Sequence, residues 1–146
     1  MKINRLLYGL LVVTLVLCAS ASNSGGTAYL NVKITNIASK KGRIEIGLYN
    51  NYKKFPKVGK THQMVRVKPT GSVLIHKFKN LSPGRYALCI YHDRNGDKKI
   101  NKNFIGVPTE PYAFSNNFRP KFSAPKFSDC SFSLKKARMV TIRLVN

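Results

Sequence analysis

Apolar residues recur at every second position in several short stretches of this chain, and that period decides its fold class. Leu30, Val32 and Ile34 alternate with Asn31, Lys33 and Thr35, and Ile44, Ile46 and Leu48 alternate with Glu45, Gly47 and Tyr49. Successive side chains of an extended strand point to opposite faces, so each stretch predicts a strand with one buried and one wet face. Ala38-Ser39-Lys40-Lys41-Gly42 between them reads as a turn. Further strands are predicted over 63–68, ended by Pro69-Thr70-Gly71, and over 73–78, followed by the turn Asn80-Leu81-Ser82-Pro83-Gly84. Residues 85–91 are apolar without alternation, which predicts a central strand buried on both faces. Phe132 and Leu134, then Val140, Ile142 and Leu144, predict two last strands around a turn at 135–138. The basic connection over 50–60 offers Tyr52 and Phe55 as anchors. No stretch carries helical spacing. About seven short strands in a chain of 146 residues predict one all-β sandwich domain over 29–146, with no internal repeat.

The N-terminus reads as an address. Lys2 and Arg5 precede an uncharged apolar run over 6–17, and Ala19-Ser20-Ala21 is a small-residue exit. These are the three parts of a secretory signal, predicted over 1–21 and followed by a flexible leader over 22–28. The run is shorter than the roughly 20 residues a membrane-spanning helix needs, so no span is expected after cleavage. An uncleaved anchor and lipid attachment at Cys18 are the alternatives; Leu17 stands where a lipoprotein signal wants a small residue. The expected location is periplasmic or secreted. Cleavage leaves Cys89 and Cys130, which in an oxidising compartment either pair, closing a loop of about 40 residues, or stay as buried thiols on different strands.

Residues 92–127 break the strand pattern. Long ordered connections in compact domains are usually functional or structurally pinned, and this one holds Asp93, Asp97 and Glu110, three of the chain's 5 carboxylates. Asp93, Asn95, Asp97 and Asn101 place side-chain oxygens at spacings that a calcium loop uses. Lys98 stands where the sharp-turn glycine of such a loop belongs, and Phe104 where its bidentate glutamate belongs. The competing expectation is a turn in which Asp93 and Asn95 bond nearby amides. The second half of the connection supplies candidate binding residues Phe114, Asn116, Asn117, Phe118, Arg119, Lys121 and Phe122. Aromatic faces among cations can stack on sugars or bases, or rest on lipid; the alternative is that Phe114, Phe118, Phe122 and Phe127 fold back to cap the sandwich.

Charge limits the partners. Lys and Arg number 26 against 5 Asp and Glu, a formal net charge of +21. Such a field draws anionic surfaces: lipid headgroups, lipopolysaccharide, acidic glycans. The basic residues are spread rather than blocked, so no specific nucleic-acid site is expected. His62, His76 and His92 lie far apart, no nucleophile elbow or zinc spacing occurs, and Cys89 and His92, three apart on one strand, point to opposite faces. Catalysis is therefore not expected, and the one cofactor the spacing admits is a calcium ion.

The order of elements adds a family. Residues 81–87 lead into Tyr91-His92-Asp93-Arg94-Asn95-Gly96-Asp97, then Asn103-Phe104-Ile105-Gly106-Val107-Pro108-Thr109-Glu110, Phe114-Ser115-Asn116-Asn117 and Pro125-Lys126-Phe127. From about Tyr29 onward this order resembles the bacterial secreted family named domain of unknown function 2141. The resemblance implies an exported antiparallel β-sandwich of immunoglobulin-like or prealbumin-like type and no catalytic residue. Two positions depart from the family's usual look: Asn101, where an acid is common, and Pro111-Tyr112-Ala113, where a glycine-rich step is common. The combined expectation is an exported binding or structural module working through 92–127. A polyanion-binding envelope protein and a calcium-ordered adhesion-type module are the alternatives.

Overall fold

The structure, a computed structural model, describes residues 27–121 and 123–146. Eight strands run in chain order: β1 (Ala28–Thr35), β2 (Arg43–Tyr49), β3 (Gln63–Val67), β4 (Leu74–Leu81), β5 (Gly84–Asp93), β6 (Tyr112–Phe114), β7 (Phe132–Leu134) and β8 (Ala137–Arg143). They form a three-stranded sheet in the order β4-β1-β8 and a larger sheet in the order β3-β2-β5-β6, with β7 also paired to β5. The two sheets pack face to face as the alternation requires. Leu30, Val32, Ile34, Phe78 and Ile142 from the small sheet meet Ile44, Ile46, Leu48, Leu88 and Ile90 from the large one, all fully or almost fully buried.

Several expectations need adjusting. Ala28 already belongs to β1 and is buried, so the ordered domain starts one residue inside the expected leader. β1 and β8 run parallel, with Asn31 opposite Met139 and Thr35 opposite Arg143, while the other strand pairs are antiparallel. The expected turn after β4 carries the chain between sheets, since β4 lies in the small sheet and β5 in the large one. The signal segment and its cleavage site fall outside the described residues.

The outer face of the large sheet is not wet. Glu45, Gly47 and Tyr49 of β2 are all buried, as is Ala87 of β5. The connections over 50–60, 112–121 and 123–130 lie across this face and build a second apolar cluster from Tyr49, Phe55, Ala87, Phe114 and Cys130, with Cys89, Tyr112, Phe118 and Phe127 against it. Phe55 is its hub: its ring makes edge contacts with Tyr49 at 5.2 Å, Phe127 at 5.9 Å and Phe114 at 6.1 Å between centroids. Edge-to-face aromatic packing of this kind adds to the area it buries. Tyr52, the other expected anchor, is exposed instead. The domain therefore has a third layer made of loops, and it is this layer that carries the candidate site.

Candidate functional site

The connection after β5 divides into two parts that do different things. Residues 112–130 hold. β6 pairs with β5 through Cys89–Phe114 and Tyr91–Tyr112, and Tyr112 also bridges Val145 near the C-terminus. Ser115 is fully buried; its hydroxyl donates to the Cys130 carbonyl at 2.5 Å and accepts the Leu88 amide at 2.8 Å. Asn116 and Asn117 both have positive φ, 61° and 50°, a backbone state asparagine tolerates better than most residues. Their side chains are occupied by main chain. Asn116 Nδ2 donates to the carbonyls of Asp129 and Ser131, and Asn117 donates to Thr141 O at 3.2 Å and accepts the Arg143 amide at 2.8 Å. Asn117 thus copies a neighbouring strand along the free edge of β8, a side of the sheet that would otherwise offer unpaired groups.

The expected binding residues sort accordingly. Phe114 is buried and Phe118 half-buried, both in the outer cluster, where they cover the sheet's face rather than the sandwich's open end. Asn116 and Asn117 clamp backbone. Arg119 and Lys121 face solvent, and Phe122 lies outside the described residues.

Residues 93–110 form an excursion pinned at its base. Asp93 is buried at the end of β5; Oδ1 accepts the Gly96 amide at 2.7 Å and Oδ2 the Lys98 amide at 2.9 Å. Glu110, also buried, accepts the Arg94 amide at 2.9 Å and the Asn101 amide at 3.2 Å. Two carboxylates thereby satisfy four main-chain donors of one loop, and bonds to an ionised acceptor are stronger than neutral ones. Asn95, Asp97 and Asn101 do come together. Asn95 Nδ2 donates to Asp97 Oδ2 and Asn101 Oδ1, and Asn101 Nδ2 donates to Asp97 Oδ2 at 3.0 Å. Those amide donors, with the Lys99 backbone, hold the exposed Asp97 carboxyl below its usual range. Of the four oxygen-bearing residues in the calcium spacing, Asp93 turns inward to the loop's own amides and the other three form this surface network.

Beyond the base the chain makes a small hairpin. Lys102 bridges Pro108, Asn103 N donates to Val107 O at 2.9 Å, and Gly106 N donates to Asn103 O at 3.0 Å. Asn103 Oδ1 accepts the amides of Ile105 and Val107, and Gly106 takes φ +83°. The turn itself is ordinary; its corner residues are not. Phe104 is 98% exposed and Ile105 68% exposed, at positions where polar or small residues are the rule. Ile105, Val107 and Val58 share a cleft of about 330 Å³ with Lys102, Lys121 and Cys89. A wider cleft of about 880 Å³ lies between 50–56 and 124–131 on the same layer, floored by Phe55 and Phe127, with Arg85 at its side.

Two further groups went unread in the sequence. Glu45 is fully buried on the outer face, paired with Arg66 at 2.5 Å, and its second oxygen has no hydrogen-bond partner among the described residues. Its neighbour Tyr91, raised in pKa by burial first and by the Glu45 charge second, donates its hydroxyl to Lys98 O. With Asp93 and Glu110 also buried, only Asp97 and Asp129 of the five carboxylates reach solvent to any extent, so the surface is more cationic than the net charge implies. The histidines are dispersed: His92 is buried with Nε2 2.7 Å from Lys41 O, while His62 lies tilted near Tyr86 and His76 edge-on to Phe78. Among the described residues no three His, Cys, Asp or Glu side chains converge.

Cys89 and Cys130 fall in the same outer cluster as free thiols. Burial, the main cause, pushes both up to about 12; the nearby Cys130 adds to the shift of Cys89, and Asp129 to that of Cys130. A thiol reacts as its thiolate. At about pH 8 the reduced, folded protein is expected to alkylate on the order of a thousandfold more slowly than an exposed cysteine. Equal rates before and after denaturation would contradict the buried placement.

A two-sheet β-sandwich with a loop layer over one face, and an exposed apolar turn beside that layer, is the class of protein these features define. Within that class, the chain belongs to the family described as "Uncharacterized protein conserved in bacteria (DUF2141)", whose model matches residues 32–142. No curated protein and no solved structure gives a significant match.

Proposed function

We propose that this chain is an exported binding module, periplasmic or secreted, whose working surface is the hairpin over 102–108. The observation that carries this reading is the pairing of a pinned base with an apolar tip. Asp93 and Glu110 fix the excursion at its root, while Phe104 and Ile105 stand in water at the corners of a hydrogen-bonded turn. Nothing in the turn's own geometry requires large apolar residues there, and burying them on a partner would recover hydrophobic free energy that the isolated domain forgoes. Export rests on the charged start, apolar run and small-residue exit of the N-terminus. Pairing of Cys89 with Cys130 in the exported protein is supported by their place in one cluster.

The test is site-specific crosslinking in the producing cell. A photoreactive phenylalanine analogue replaces Phe104 in one variant and Ile75, exposed on the outer face of the small sheet, in another. A discrete adduct from position 104, to protein or to lipid as its mass shows, and none from 75 is expected. No adduct from 104, or the same adducts from both, overturns the reading.

A second reading, binding of polyanions through spread charge, draws support from the burial of Glu45, Asp93 and Glu110. It requires binding that falls steeply with salt and is indifferent to Phe104.

A further inference from the structure

We infer that the hairpin over 102–108 seats on an anionic phospholipid bilayer, with Phe104 and Ile105 entering the boundary between headgroups and acyl chains. This rests on the hairpin being the working surface and names its occupant. The choice of occupant comes from size, shape and charge. A stable protein interface buries about 1,000 Å² or more across a complementary patch. The apolar part of this tip is a few side chains on one narrow turn, with Phe104 98% exposed and Ile105 68% exposed. A bilayer surface accepts such a protrusion without needing a matching pocket.

The charges around the tip have the matching sign. Lys102 and Lys121 line the cleft shared by Val58, Ile105 and Val107, and Lys57 and Lys60 flank Val58 in the chain. Val58 is 79% exposed and adds a second apolar contact beside the hairpin. Two of the three carboxylates of the excursion, which would repel a phosphate layer, are withdrawn: Asp93 and Glu110 are buried against amides, while Asp97 stays exposed with Asn95 and Asn101 bonded to it. Exposed lysines beside an apolar tip are what an anionic leaflet attracts at short range, with salt weakening the approach.

The chain has no Trp, so Phe104→Trp carries a single indole at the tip, and Met139→Trp, on the outer face of the small sheet, is its control. Both variants, purified in the form the producing cell accumulates, are mixed with phosphatidylglycerol–phosphatidylcholine vesicles and with pure phosphatidylcholine vesicles. The expected result is a blue-shifted, brightened emission for Phe104→Trp with the anionic vesicles alone and no change for Met139→Trp. Replacing Ile105 by Ser in the Phe104→Trp background should weaken that response by about tenfold. A response equal on both vesicle types overturns the anionic occupant. Neither cosedimentation nor shift with anionic vesicles overturns the lipid occupant and leaves the crosslinking test to judge the hairpin. Cosedimentation without a shift at position 104 means that the chain binds lipid through other surfaces, and overturns the inference, while the crosslinking test still judges the hairpin.

Discussion

Gly42→Ala is expected to destabilise the domain by at least about 4 kcal/mol, a large share of what a domain of this size has. Two independent causes add. Gly42 has φ +72°, where an alanine is strained. A Cβ there would lie 1.9 Å from the Asp93 carbonyl oxygen and 2.7 Å from the Arg94 Cα. Both neighbours are main chain, and neither can rotate away. Relief requires parting the end of β2 from the end of β5, where Arg43 faces Asp93, and disturbing the contact of His92 Nε2 with the Lys41 carbonyl. The midpoint of thermal unfolding should fall by more than about 10 °C. Gly71→Ala is the matched control: its φ lies outside the left-handed region and its Cβ would meet nothing within 4 Å. Equal stability of the two variants would show that the turn before β2 does not press on the base of the excursion.

Asp93→Ala should cost about 3 kcal/mol, concentrated in the excursion. The side chain is 2% exposed and accepts two amides, so its removal leaves the Gly96 and Lys98 donors without their acceptor. Both donors sit at positive φ, 81° and 62°, a bend that these bonds help to hold. Asp93→Asn keeps one acceptor oxygen and should lose about half as much. Urea unfolding reads the global part. A loss under about 0.5 kcal/mol for Asp93→Ala, the range of ordinary surface changes, would remove Asp93 from the pinning role.

What could be read from the sequence follows the reach of each signal. Alternation in β1 and β2 identified the sandwich core because strand period is a local property. The same alternation mistook the outer face of β2 for a wet one, because Tyr49 is covered by connections, through Phe55 nearby and Phe114 far along the chain, whose packing no strand period reports. β6 escaped notice because three residues are too few to show a period. The parallel pairing of β1 with β8 has no local signature either. Asn116 and Asn117 looked like binding residues because an amide suited to a ligand is equally suited to a β-strand edge. The turn at the tip was legible in principle: Asn103 and Gly106 are turn chemistry, and Phe104-Ile105 between them is the mismatch. That mismatch gains meaning only once the structure shows that neither side chain folds back.

A hairpin at 102–108 can serve as a working surface only if 93–110 is a fixed base carrying a free tip. Residue-resolved amide hydrogen exchange on the folded protein measures it directly. The amides of Arg94, Gly96, Lys98 and Asn101, each bonded to a buried carboxylate, should exchange slowly, while Phe104 exchanges close to the rate of an unstructured peptide. In Asp93→Ala the Gly96 and Lys98 amides should speed up selectively. Uniformly fast exchange across 93–110 would contradict the account, because a loop without a fixed base cannot present its tip as a surface.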